Sequence, residues 1–327
     1  MVGRPPLAPP GSRVVPPSGR SSRSPVRGLP SVGLAFQTVF RAPCHRRFVS
    51  TREDQPGADG RSGPPTIGLG TWQHDDHERC VESVRTALEV GYRHVDTAQA
   101  YGNEAAVGEG IAAADVDRED VFVATKVWID RVSPEEVRDS TAASLDRLGV
   151  DSVECLYIHW PAGDYDPEAT VSAFAALREQ GRIEHVGVSN FTPDLLAAAQ
   201  AAIDAPIFAN QVEMHPLLQQ ADLREYCEDA GVELVAYSPL ARGEVFDVDV
   251  LTDIADARAH DVSAAQVSLA WLRAKGIAAI PKATGRDHLA DNRASLDLAL
   301  TDAEVAHIDA IDRTERLVHP DFAPDAW

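Results

Sequence analysis

Residues able to hold or transfer a proton stand at the ends of three short apolar runs. Asp96 lies in the run at 94–97, and Tyr101 follows it five residues later. Lys126 and His159 stand near the ends of the next two runs. Each residue alone has a structural explanation, such as a helix N-cap for the aspartate or core packing for the tyrosine and the histidine. Their repeated position after apolar runs instead predicts one shared site for acid–base chemistry.

The elements that would bring these side chains together are eight strand-like runs separated by amphipathic stretches. The runs are 67–71, 94–97, 121–127, 153–159, 185–188, 207–212, 232–237 and 277–280. Helical spacing is clearest at 77–90 and at 134–148, where Pro134 after Ser133 is typical of a helix start. This alternation predicts an α/β fold, a single-domain (β/α)8 TIM barrel, whose chemistry lies at the carboxyl ends of the strands.

An open doubly wound sheet is the alternative fold. It would usually carry G-x-G-x-x-G after its first strand, whereas the chain reads "IGLGTWQHD" there, with G-x-G and no third glycine before a helix. The barrel is therefore favoured.

Charge separates the chain into two parts. Residues 1–62 hold ten Arg, no Lys and three acidic residues, and they are rich in Pro, Ser and Gly. We expect this stretch to be a disordered extension and residues 63–327 to form the barrel domain. A transit peptide and a mis-assigned start, with Val49 as the true first residue, are both open explanations, and the abrupt change in composition favours the second.

The remainder is strongly acidic. Residues 63–327 carry 20 basic and 48 acidic side chains, a net charge of −28, and the whole chain has three Lys. We expect a cytoplasmic protein from a halophile, with no nucleic-acid partner and no membrane partner. The four Cys lack zinc-type spacing and are expected to be reduced and buried, and we predict no metal. His74 and His77, three residues apart in a polar helix start, are expected to be solvated surface residues.

Eight motifs, in order and with matching spacing, resemble the aldo-keto reductase family over about 66–327. They read "GLGTW", "GYRHVDTAQAYGNE", "ATKVW", "YIHWP", "GRIEHVGVSNF", "NQVEMHP", "AYSPLARG" and "IPKATGRDHLADN". The likeness is greatest to small prokaryotic members of the 2,5-diketogluconate reductase type. It implies an enzyme that reduces aldehydes or ketones to alcohols with NAD(P)H. It also implies a monomer, because small members of the family are mostly monomers.

By this resemblance, Tyr101 is the proton donor, and Asp96, Lys126 and His159 complete a catalytic tetrad. A free phenol, with a pKa of about 10, is a poor acid at neutral pH, and we expect the ammonium of Lys126 to lower the pKa of Tyr101. Asp96 would hold Lys126 charged, and His159 would orient the carbonyl oxygen.

The resemblance also implies a set of cofactor contacts. They are Ser189, Asn190 and Gln211 at the carboxamide, Tyr237 stacked on the nicotinamide ring, Ser238 and Leu240 beside the pyrophosphate, Thr71 near the ribose, Lys282 at the adenosine 2′-phosphate and Asn292 near adenine.

The 2′-phosphate segment departs from the family pattern. The family usually has Ser directly after this lysine and Arg six residues after it, whereas this chain has Ala283 and His288. Arg286 could reach the phosphate instead or be a surface charge. NADPH is favoured, and use of NADH stays open because a planar guanidinium is missing.

Three tryptophans at strand ends, Trp72, Trp128 and Trp160, are expected to line an open substrate pocket, and the C-terminal segment could bring Trp327 near it. Two other functions are weighed. A nicotinamide-binding regulatory barrel without turnover is less favoured because all four tetrad residues are present. A metal hydrolase is least favoured because the strand ends lack an H-x-H pair.

Overall fold

Eight parallel strands pair in chain order, each with the next. The structure is a computed structural model that describes residues 63–258 and 260–324. The strands are β1 (Leu69–Gly70), β2 (His94–Asp96), β3 (Phe122–Val127), β4 (Val153–Ile158), β5 (Ile183–Ser189), β6 (Ile207–Glu213), β7 (Glu233–Tyr237) and β8 (Ala278–Ala279). Parallel bridges between Ile67 and Ala279 and between Gly70 and Lys282 bring the last strand back to the first. The predicted (β/α)8 barrel is confirmed.

Helices follow the strands on the outside of the sheet. They are α1 (His77–Glu89), α2 (Glu104–Ala112), α3 (Pro134–Leu148), α4 (Pro167–Glu179), α5 (Pro193–Ala201), α6 (Ala221–Ala230), α7 (Asp249–Asp256), α8 (Ala264–Ala274), α9 (Arg286–Ala294) and α10 (Asp302–Asp309). None of these helices, which span the described part of the chain, has the length and the apolar run needed to cross a bilayer.

The predicted helix starting at Pro134 shows how sequence and structure agree and differ. Ser133 is its N-cap residue and Pro134 occupies its first turn, as expected. Thr141 and Ser144 are buried in this helix, whereas Ala142 is exposed. Apolar character alone therefore does not decide which residues of α3 are buried.

The inside of the barrel is filled by its own cluster of buried side chains, separate from the larger core between sheet and helices. Its buried members are Ala124, Cys155, Tyr157, Phe208, Ala209, Val235, Ala278 and Ile280. Gly187 makes room there, because a Cβ at this position would lie 2.5 Å from the Tyr157 ring. This packed floor supports the strand ends that carry the polar side chains.

Some predictions fall outside the described residues. These are the extension at 1–62, the fourth cysteine, Cys44, and the C-terminal Trp327.

Candidate active site

A buried ion pair joins the ends of β2 and β3. Lys126 Nζ donates to Asp96 Oδ1 and to the carbonyl oxygen of Thr97, the latter at 2.8 Å, and both charged side chains are 1% exposed. The parallel register pairs Asp96 with Ala124, so Lys126 projects one pleat further along the same face. Burial opposes the charge on Lys126, but Asp96 and then Tyr101 raise its pKa above the usual value. The ammonium is therefore held charged in a dry site.

Tyr101 stands over this pair, at the end of a 3-10 turn that follows β2. Its ring centroid is 5.2 Å from Lys126 Nζ. Burial raises the pKa of Tyr101, and the charge of Lys126 acts in the opposite direction without reversing the shift. The expectation of a lowered pKa was thus wrong for the net shift, because desolvation of the phenolate outweighs the ammonium. The hydroxyl consequently keeps its proton at neutral pH.

His159 completes the group from the end of β4. Its ring is 5.8 Å, centroid to centroid, from Tyr101 and packs edge-on against Trp128 at 4.9 Å. Burial, with Lys126 second, lowers the pKa of His159 well below its usual value. The buried Nδ1 has no hydrogen-bond partner among the described residues. At the buried Nδ1, an unsatisfied acceptor lone pair costs less free energy than an unsatisfied N–H donor would. The neutral ring is therefore protonated at Nε2.

Gln211 has a contact that sequence reasoning missed. Its Nε2 donates to Asp96 Oδ2 at 2.7 Å, and the side chain is buried. The Asp96 carboxylate thus accepts from Lys126 on one oxygen and from Gln211 on the other. Gln211 was predicted from the family resemblance to contact a cofactor, and no local signal pointed to a partner 115 residues away.

The ends of β5 and β7 are tied to β4 and β6 by polar side chains. Asn190, at φ 66°, donates through Nδ2 to the carbonyl oxygen of His159 at 2.9 Å and accepts from the Tyr237 hydroxyl at 3.0 Å. The Ser189 hydroxyl donates to the carbonyl oxygen of Gln211 at 2.8 Å. Four of the residues predicted to contact nicotinamide therefore lie on one continuous rim.

The Tyr237 phenol belongs to the same site as Tyr101. Burial raises the pKa of Tyr237 well above its usual value, with Glu213 and Tyr101 adding to the rise. The ring is half-buried and so leaves one side available to a ligand.

Two loops meet across the mouth of the barrel. Thr71, after β1, donates its hydroxyl to the carbonyl oxygen of Asp96 at 3.0 Å, which fixes this loop to β2. After β7, Ser238 has φ 49° and Leu240 leads into a turn in which Arg242 has φ 53°. The Arg242 guanidinium lies 4.9 Å from the centroid of the Trp72 ring, which is 39% exposed.

The residues predicted to lie near the adenosine 2′-phosphate differ in their exposure and in their partners. Lys282 is exposed and has no carboxylate within ion-pair distance among the described residues. Arg286 starts α9 but pairs with Glu89 at 3.0 Å, so its guanidinium is engaged on the surface of α1. Asn292 is buried within α9, three residues before Ser295, whose hydroxyl donates to its carbonyl oxygen at 2.6 Å.

The C-terminal segment contributes an aromatic residue that the sequence did not single out. The Phe322 ring packs edge-on against Trp128 at 5.8 Å and against Trp160 at 5.5 Å. The segment is held by the buried carboxylate of Glu213, which accepts from the backbone N–H groups of Leu317 and Val318 at 2.7 and 2.9 Å. The three rings form a wall beside His159.

The two histidines at the start of α1 differ from each other. His77 is exposed and pairs with Glu109, as a surface residue would. His74 is only 4% exposed, so the expectation of a solvated role was wrong for this residue. The described residues hold no group of three or more His, Cys, Asp or Glu that could bind a metal ion.

Comparisons with known proteins agree on one family. The family described as "Aldo/keto reductase family" matches residues 66–313. Methylglyoxal reductase DkgB of Salmonella typhimurium is 39% identical over 266 residues, which are 80% of this chain and 98% of the relative. The uncharacterized oxidoreductase YtbE of Bacillus subtilis is 40% identical over 261 residues, 79% of this chain and 92% of the relative.

A solved structure extends the comparison to three dimensions. A putative 2,5-diketo-D-gluconic acid reductase B has a TM-score of 0.77 and 36% identity, and the match covers 81% of this chain and 94% of that one.

Proposed function

The chain belongs to the aldo/keto reductase family and is a carbonyl-reducing oxidoreductase, and we propose that Tyr101, Lys126, Asp96 and His159 are its catalytic residues. The observation that carries this proposal is the charged, buried Lys126–Asp96 pair beneath a protonated phenol. The hydride for the carbonyl carbon would come from a bound reduced nicotinamide. The chain's own residues then have to place the carbonyl and deliver one proton to its oxygen.

Tyr101 supplies that proton. Its hydroxyl holds the proton until charge develops on the substrate oxygen, because burial raises the pKa of Tyr101. Lys126 then stabilises the phenolate left behind, since its ammonium is fixed by Asp96 and cannot move away. The proton travels from the Tyr101 oxygen to the alkoxide oxygen, and solvent restores it from the mouth of the barrel.

His159 positions the carbonyl. A neutral ring protonated at Nε2 can donate a hydrogen bond to the carbonyl oxygen from the side opposite Nδ1. Packing against Trp128 fixes the plane of the ring. The two donors, phenol and imidazole, together form an oxyanion site.

The cofactor is NAD(P)H, with NADPH favoured. Tyr237 offers a half-buried ring for stacking, while Ser189, Asn190 and Gln211 lie on the adjoining rim. Thr71, Ser238 and Leu240 border the mouth through which the pyrophosphate would pass, and Asn292 lies on α9 near the adenine end. The exposed ammonium of Lys282, which has no carboxylate partner among the described residues, suits a 2′-phosphate. The pairing of Arg286 with Glu89 removes one further cation, which leaves use of NADH open.

The substrate is a small aldehyde or ketone. Trp128, Trp160 and Phe322 give the pocket an apolar wall beside His159, and Trp72 stands at the mouth. The relatives named for methylglyoxal and for 2,5-diketogluconate suggest short oxidised carbon chains.

The state of the cysteines and the charge of the chain bear on the compartment and the source of the enzyme. We propose a monomer in the cytoplasm of a halophile. The three described cysteines, Cys80, Cys155 and Cys227, are free and buried, as in a reducing compartment. The acidic surface suits concentrated salt.

A substrate panel run with both cofactors tests the proposal. In high salt, we expect the purified protein to oxidise NADPH faster than NADH with methylglyoxal and with aromatic aldehydes. Tight binding of NADPH without turnover of any carbonyl would overturn the catalytic proposal and favour a regulatory barrel.

A further inference from the structure

The His74 side chain is buried. It is 4% exposed, and neither Nδ1 nor Nε2 has a hydrogen-bond partner among the described residues. Its backbone N–H donates to the carbonyl oxygen of Thr71 at 3.1 Å, so the residue is fixed beside the end of β1. A buried polar ring with both nitrogens unsatisfied costs stability, and such groups often serve a ligand.

Lys282 approaches the same place from the end of β8. A bridge joins Lys282 to Gly70, the residue before Thr71, and the Gly70 N–H donates to the carbonyl oxygen of Pro281 at 3.2 Å. This approach is close, since a Cβ on Gly70 would lie 2.6 Å from the carbonyl oxygen of Ile280. His74 and Lys282 therefore follow the ends of β1 and β8, which are adjacent and hydrogen-bonded to each other.

Lys282 differs from the other lysines of the chain. Lys126 is buried against Asp96, and Lys275 pairs with Asp309 at 2.8 Å. Lys282 alone of the three exposes its ammonium with no carboxylate partner in the described part of the chain. In a chain with 51 acidic residues and three lysines, such a cation is available to an anionic ligand.

We propose that His74 and Lys282 together bind a phosphate group of the nicotinamide dinucleotide, and that His74 takes up a proton as the phosphate binds. This inference rests on the proposed use of such a cofactor. His74 would supply the second cation that Arg286, engaged by Glu89, does not.

The charges around His74 account for the proton uptake. Burial and then Lys282 lower the pKa of His74 to about 4, with Arg79 adding to the fall and Asp75 opposing it. The ring is thus neutral before the anion arrives. A phosphate placed beside it favours the imidazolium, so the pKa rises in the complex. Affinity must then increase as the pH falls through the higher, bound-state pKa.

Calorimetric titration of the full chain with NADP⁺ tests the proposal without turnover. At about pH 6, between the pKa values of the free and bound ring, titrations in buffers of different ionisation enthalpy report the protons taken up. We expect the wild-type chain to take up about one proton more per NADP⁺ than His74→Asn does, because the 2′-phosphate itself titrates near pH 6 in both proteins. We also expect the wild-type Kd to fall, relative to that of His74→Asn, by up to about tenfold for each unit by which the pH is lowered.

Variants assign the proton to His74. His74→Asn and His74→Leu should abolish this additional uptake and reduce the pH dependence of the Kd, and Lys282→Met should weaken binding at every pH. The matched control His77→Gln, on the exposed side of α1, should keep the wild-type uptake. His288→Gln tests the other histidine near Lys282, and loss of the uptake in this variant would overturn the assignment to His74. Because the buried His74 ring has no hydrogen-bond partner among the described residues, we expect His74→Leu to unfold at or above the wild-type temperature.

Comparison of three ligands shows which phosphate His74 binds. Uptake with NADP⁺ and 2′,5′-ADP but not with NAD⁺ places the 2′-phosphate at His74, and equal uptake with NAD⁺ places the pyrophosphate there. Either result supports the site. Binding and turnover with the same proton uptake in wild type and His74→Asn would overturn it and leave the proposed function intact. If none of the three ligands binds, both the proposed site and the proposed function are overturned.

Discussion

The Asp96 carboxylate is shared between two donors that come from different strands. Lys126 uses one oxygen and Gln211 the other, so the ammonium beneath Tyr101 is held by a carboxylate that cannot rotate. The tetrad itself could be predicted from sequence, because each member follows an apolar run and strand ends converge in a barrel. The Gln211 contact could not, because it depends on which way one amide points inside the closed sheet.

Gln211→Met tests this contact. Loss of a hydrogen bond to a buried charge is worth about 1.5–3 kcal/mol, so we expect kcat to fall about tenfold to a hundredfold. Gln180→Met, at an exposed helix end, is the control and should behave as wild type. A wild-type kcat in Gln211→Met would contradict the positioning role.

At the scale of elements, strands were easier to predict than the C-terminal segment. The apolar runs located all eight strands, although β1 and β8 shrink to two residues each. Residues 313–324 have no periodicity, and their course is set by buried Glu213 at the end of β6, more than a hundred residues earlier. Contacts of this kind are fixed by tertiary packing and leave no local pattern. The burial of His74, which stands among the polar residues Gln73, Asp75 and Asp76, could not be predicted because it too is fixed by tertiary packing.

Phe322→Ala tests the role of this segment in the pocket. Removing the ring that contacts Trp128 and Trp160 should raise KM for aromatic aldehydes about tenfold through lost apolar contact, while KM for methylglyoxal changes little. Phe246→Ala is the control, because Phe246 is also an exposed aromatic residue, at 52%. Equal effects of Phe322→Ala on large and small substrates would contradict the pocket role.

At the scale of the whole molecule, the main feature is a large net negative charge. The barrel residues 63–327 carry a net charge of −28, and several of the arginines, including Arg85, Arg118 and Arg313, are already paired with carboxylates. Repulsion among the remaining acids opposes the folded state and is screened by salt within about 3 Å at 1 M.

Thermal unfolding in KCl tests this view. We expect Tm to rise by more than about 10 °C between low salt and molar salt, as screening relieves the repulsion. Equimolar choline chloride should act similarly, since ionic strength rather than a specific ion is responsible. A Tm that is highest at low salt would contradict the halophilic interpretation.

The central claim is that Tyr101 delivers the proton in carbonyl reduction, and Tyr101→Phe tests it most directly. The measurement is NADPH oxidation with methylglyoxal in high salt, together with the Kd of NADPH from its fluorescence. We expect kcat to fall about a hundredfold or more with the Kd unchanged, because the ring and its packing stay while the proton donor is lost. Wild-type turnover by Tyr101→Phe would contradict it.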